Sequence, residues 1–152
     1  MLKSLIQADI KEAMKQKNQD VLGVLRMVMA AVNAKEQEGF YKLGKEAVLT
    51  DEEMIGVISG EIKKRRDAIA LFEQGGRPEL AEGEKKEIAM LQKYLPEQLS
   101  VDELKSFIEA AIKNTGASSM KEMGKIMAEL APKTKGRAEN SEISKIVKEL
   151  LS

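Results

Sequence analysis

The densest concentration of side chains able to do chemistry lies between Lys113 and Arg137. Six basic residues (Lys113, Lys121, Lys125, Lys133, Lys135 and Arg137) stand there against two acidic ones, Glu122 and Glu129, a local net charge of +4. Lys133, Lys135 and Arg137 bracket Gly136 in the run Lys133-Thr134-Lys135-Gly136-Arg137. A loop of this composition beside a helix end can bring lysine, arginine and bare backbone N–H groups to a phosphate backbone together. Reading bases would need stacking aromatics, and none is near in sequence, so contact would be with shape and phosphate. The plainer reading is a solvated turn, and the residues by themselves favour it.

Other chemistry is poorly provided for. The chain has no histidine, which removes the commonest general base and metal ligand, and no cysteine, which removes disulfides, zinc-thiolate sites and thiol nucleophiles. A Ser–Lys dyad is possible on paper, but nothing marks one. The carboxylates all read as helix-surface residues, with no pair set apart for acid–base work or metal binding. Gly-rich phosphate loops are absent. The expectation is a chain without catalytic residues, metal or cofactor of its own. Lys63-Lys64-Arg65-Arg66 is a second basic run, but four successive helical residues point in different directions. Arg65 or Arg66 falls where the next apolar residue is due, so a solvated face with one buried-side ion pair is expected. Arg26, inside an apolar run, is expected to snorkel or to be ion-paired.

The composition bounds the setting. Of 152 residues, 43% are hydrophobic, 33% charged and only 3% aromatic, so the cores must be aliphatic and methionine-filled, which favours helices over sheets. Basic and acidic residues balance at 25 each, 16 of each before residue 96 and 9 of each from there on. A globally basic nucleic-acid binder is excluded, and any electrostatic site must be local. Residues 1–4 open an amphipathic helix and not a signal peptide, and no apolar run approaches membrane-spanning length. No membrane partner is expected, and the default compartment is the cytoplasm.

The helical pattern breaks into seven segments. A first covers about 2–16 with Leu5, Ile6, Ile10, Ala13 and Met14 on one face. A second, 20–37, is apolar in nearly every direction and should be central. Residues 39–49, with two glycines and two aromatics, read as a mobile loop. Thr50-Asp51-Glu52-Glu53 is a capping box that launches a helix to about 74. Gly75-Gly76 ends it, and Pro78 opens a fourth with Leu80, Ile88, Leu91 and Leu95 inward. Pro96 must stop or kink the pattern, and Ser100-Val101-Asp102-Glu103 starts a new helix over 101–113. Ser119-Met120-Lys121-Glu122 reads as a third capping box, for a sixth helix ending at Ala131 and closed by Pro132. A polar loop over 133–137 and a last helix over 141–151 follow. The economical fold is all-α: a four-helix bundle over 1–95, then a three-helix bundle over 96–152, joined by the link Tyr94-Leu95-Pro96-Glu97-Gln98-Leu99-Ser100.

Four segments together carry a resemblance: Lys63-Lys64-Arg65-Arg66, Lys93 to Ser100, Met123-Gly124-Lys125-Ile126-Met127, and Lys133 to Ala138. In order and at this spacing they closely resemble the YqeY-like proteins. These share a domain with the C-terminal end of the B subunit of glutamyl/aspartyl-tRNA amidotransferase. The likeness spans the whole chain and implies the same four-plus-three helical architecture. It also implies a link to tRNA, because in the amidotransferase the region is similar to a tRNA-holding arm while amidation occurs elsewhere. A carbon–nitrogen ligase label with glutamine as amide donor would be inherited by domain similarity alone. Carried over by position, the binding candidates are Lys125, Lys133, Lys135, Gly136 and Arg137. Relatives often continue with Asp-Gly and a basic residue, where Glu139-Asn140-Ser141 stands here; Asn140 could adopt glycine's left-handed conformation. The expected function is thus a non-catalytic tRNA- or RNA-binding module. The alternative is an adaptor docking on a tRNA-dependent amidotransferase or an aminoacyl-tRNA synthetase.

Overall fold

The computed structural model describes every residue, Met1–Ser152. It is all-helical, with no strand: α1 (Leu2–Lys15), α2 (Gln19–Leu43), α3 (Asp51–Gln74), α4 (Pro78–Gln92), α5 (Val101–Thr115), α6 (Met123–Thr134) and α7 (Asn140–Leu151), with one 3₁₀ turn at Met120–Glu122. The chain divides into two compact units, Met1–Leu95 and Pro96–Ser152.

In the first unit α2 touches α1, α3 and α4, and α3 lies along α4. The core is aliphatic: Ile6 from α1, Val24, Leu25, Val28 and Val32 from α2, Met54, Ile58 and Ile62 from α3, and Ile88 and Leu91 from α4, closed by Tyr94. Two expected inward faces are narrower in fact. Leu5 and Met14 are exposed, leaving Ile6, Ile10 and Ala13 as the stripe of α1, and Leu80 is exposed while Ala81 takes the buried place in α4. Arg26 is exposed.

The loop expected over residues 39–49 is corrected. Helix α2 runs on through Phe40 and Tyr41 to Leu43 and stops at Gly44, whose φ of 69° is the left-handed conformation that ends a helix. Gly39 is a helical residue with a different reason to be glycine. A Cβ there would stand 3.0 Å from the Ala47 Cβ, so the returning segment passes directly over it. Glu36 then fixes that segment, accepting from the Leu49 N–H at 3.0 Å and from Lys3 Nζ at 2.8 Å. The Thr50 capping box forms as read, with both reciprocal hydrogen bonds present.

In the second unit α5 packs against α6 and α7 over Leu104, Ile108, Ala111, Ile126, Leu130, Ile143, Ile146 and Val147. The Ser100 capping box forms, with Glu103 N–H donating to Ser100 Oγ at 3.1 Å and Ser100 N–H to the Glu103 carboxylate at 3.1 Å. The third expected box does not. Ser119 opens a 3₁₀ turn without a side-chain cap, and Glu122 accepts from the Ser118 N–H at 2.6 Å instead. Pro132 does not close α6 either: the helix continues to Thr134. A proline three residues from a helix end removes a single N–H, and the next turn still closes when Lys135 N–H donates to Ala131 C=O at 3.1 Å.

Candidate nucleic-acid interface

The end of α6 builds the candidate site. Lys133 and Thr134 belong to the last helical turn and Lys135 caps it, so the expected loop begins two residues late. Thr134 is buried at 3% exposure, and its hydroxyl donates back to Leu130 C=O at 3.0 Å. Its own carbonyl accepts from Arg137 N–H at 2.8 Å and from Ala138 N–H at 3.1 Å. That closure needs Gly136 at φ 73°, a conformation a side chain would strain. Lys133, Lys135, Gly136 and Arg137 are therefore held side by side on one tight turn. Lys125 is not among them; it is exposed on α6 eight residues earlier, about 12 Å along the helix axis.

The turn is clamped by residues that sequence reading took for a link. Leu99 N–H donates to Arg137 C=O at 2.9 Å, Gln98 Nε2 donates to Gly136 C=O at 2.7 Å, and Arg137 Nε donates to Glu97 C=O at 2.9 Å. Residues 97–99 thus form a strap over the Gly136 turn. A signal was present in the sequence. Leu99 precedes the Ser100 cap and Leu104 follows four residues after it, the spacing of a hydrophobic staple, and both lie in the second unit's core.

The strap decides what Arg137 can do. Its Nε is used, while its two terminal nitrogens donate to no group of the chain, so the fork is oriented but unfilled. A guanidinium fork of this kind matches two oxygens of a phosphate or carboxylate. Lys133 Nζ lies 5.8 Å from the centroid of the Phe107 ring, so an aromatic does adjoin the basic turn. Phe107 comes from α5, 26 residues away in the chain, and its partly buried ring packs against the second unit's core. Asn140 is not left-handed but is the first residue of α7, with Glu139 at its N-cap.

In the second basic run Lys63 and Lys64 are exposed and Arg65 is structural. Arg65 is 4% exposed; its Nε donates to Glu87 at 2.9 Å and its Nη1 to both the carbonyl and the carboxylate of Glu61. No group of three or more acidic side chains could hold a metal ion, and no helix is long and apolar enough to cross a membrane.

The family model described as Yqey-like protein matches residues 3–151, nearly the whole chain. The chain belongs to the YqeY-like family. Among curated proteins, this YqeY-like chain is 28% identical over 150 residues to "Altered inheritance of mitochondria protein 41, mitochondrial" of Pyrenophora tritici-repentis, an alignment spanning 96% of this chain and 78% of that one. It is 29% identical over 99 residues to an uncharacterized protein of Schizosaccharomyces pombe, covering 65% of this chain and 76% of the other.

Proposed function

We propose that this YqeY-like chain is a non-catalytic RNA-holding module that grips the phosphate backbone of tRNA through Lys133, Lys135, Gly136 and Arg137, with Lys125 as an outlying contact. On this reading its two units are domains, a four-helix bundle followed by the three-helix bundle that carries the site. The observation behind it is the Arg137 guanidinium, anchored through Nε to the Glu97 carbonyl with both terminal nitrogens unused. Preorganising a cationic fork lowers the ordering cost of meeting an anion. Family resemblance to the tRNA-holding region of an amidotransferase subunit supports tRNA over other anions.

The test is fluorescence anisotropy of the chain against bulk tRNA over a salt series, beside the variant K133Q/K135Q/R137Q. Each lost phosphate contact lowers the slope of log K against log salt by about 1, so a drop of two to three is expected. An unchanged slope would overturn the site.

One observation favours a second reading, an adaptor that docks on an amidotransferase or synthetase. Phe40, Tyr41 and Leu43 at the end of α2 and Val48 just after it are all exposed, and Phe40 and Val48 line an open cleft with Glu36, Gln37, Glu46 and Ala47. Binding of a purified amidotransferase that is lost in Y41S/V48S, with tRNA affinity intact, would select it.

A further inference from the structure

We propose that Met27 is an oxidation site whose sulfoxide is received by Arg65, so that peroxide tightens the packing of α2 on α3. Arg65 is a buried cation with one weakly partnered end. Four hydrogen bonds or contacts surround the Arg65 guanidinium: Nε to Glu87 at 2.9 Å, Nη1 to Glu61 C=O at 3.0 Å and to Glu61 Oε2 at 3.1 Å, and Nη2 to Met27 Sδ at 3.7 Å. The first three acceptors are a carboxylate, a carbonyl and a second carboxylate. The last is a thioether, among the weakest acceptors a protein has. Nη2 is thus the one corner of a 4% exposed guanidinium without an oxygen to receive its protons.

Met27 is itself 55% exposed, so a small oxidant meets this side chain from solvent. The reaction is a two-electron transfer. A sulfur lone pair attacks one oxygen of hydrogen peroxide, the O–O bond breaks, an S–O bond forms, and after proton transfer the other oxygen leaves as water. Sulfur is oxidised and peroxide is reduced. The product carries a strongly polar oxygen on a side chain with three rotatable bonds. Turned inward, that oxygen meets Nη2, and a charge-assisted N–H···O bond replaces the weak N–H···S contact.

The other methionines lack this arrangement. Met54 is sealed in the core, where an added oxygen would disrupt packing, and Met1, Met14 and Met120 are exposed without a cation donating to sulfur, Met1 being common to every variant below. They set the opposite expectation, since methionine oxidation ordinarily loosens structure.

The experiment treats the intact M14L/M120L chain with hydrogen peroxide, maps the sulfoxide by peptide mass spectrometry, and follows heat unfolding by tyrosine absorbance. Both tyrosines, Tyr41 and Tyr94, lie in the first unit with Met27, so the signal reports that unit. The midpoint is expected to rise by about 4 °C with Met27 oxidised. It should stay fixed in M14L/M120L/M27L under the same treatment. The Met27→Gln variant, whose amide oxygen stands in for the sulfoxide, should reproduce part of the rise without peroxide. A fall or no change on stoichiometric Met27 oxidation overturns the proposal. So does a midpoint for Met27→Gln below that of the untreated chain.

Discussion

A charge removed from water is tolerable only when its neighbours return what water gave it, and two sites in the first unit show this. Arg65 and Glu61, 4% and 5% exposed, pair with each other, and Glu87 and Lys64 add a second ion pair to each, leaving only Arg65 Nη2 against a thioether. Arg65→Ala is expected to lower stability to urea by about 3–5 kcal/mol, because it strands the Glu61 carboxylate; Arg65→Met paired with Glu61→Leu should lose far less. At the other site the buried Tyr94 hydroxyl donates to the Asp9 carboxylate, with Lys93 Nζ 3.5 Å from Asp9 and 4.9 Å over the ring. Burial first, and the bond to Asp9 second, push the Tyr94 phenol well above its ordinary value near 10. The folded state therefore holds this proton more tightly than the unfolded one. Its contribution is whole below about pH 10 and is lost as pH rises toward the folded value. Tyr94→Phe should cost about 1.5–3 kcal/mol at neutral pH and flatten the decline in urea midpoint above pH 10.

Among elements, the helices announced themselves through aliphatic spacing, but their ends obeyed geometry that four-letter motifs do not carry. Thr50, Ser100 and Ser119 each precede a glutamate by three residues, yet only the first two close a box. The difference is whether the first turn winds as α or as the tighter 3₁₀, which redirects the Glu122 carboxylate to Ser118. Ser100→Ala should thus cost about 1 kcal/mol in denaturant unfolding, whereas Ser119→Ala should fall within about 0.5 kcal/mol of the parent. Gly39 misled for a related reason: a glycine ends a helix only at positive φ, which Gly44 has, while Gly39 answers to the close passage of Ala47. One buried arginine was legible because the run interrupts an apolar register, though the register alone did not choose between Arg65 and Arg66. The candidate turn was legible as composition, but its clamp was not. Gln98 and Gly136 are 38 residues apart, and no local pattern foretells a side chain that bonds a distant carbonyl.

At the scale of the whole molecule, charge and core are both partitioned. Each unit balances its own basic and acidic residues, and the two apolar clusters draw on separate stretches of chain, the first ending at Leu95 and the second beginning at Leu99. Heat unfolding should accordingly show two steps by far-ultraviolet circular dichroism and one by tyrosine absorbance; a single coincident midpoint would mean that the units melt together. The strap over Gly136 also bears on how the chain meets a protease. Trypsin cuts after lysine or arginine only where several residues can open into an extended strand. The turn offers Lys133, Lys135 and Arg137 in close succession, but the Arg137 carbonyl, the group to be attacked, is already held by the Leu99 N–H. Lys45 is exposed in the stretch between α2 and α3, which has no regular structure. Limited digestion should nick the chain after Lys45 first. Cleavage after Arg137 should wait for the second unit to open, so a turn dense in target residues becomes a slow clock for unfolding.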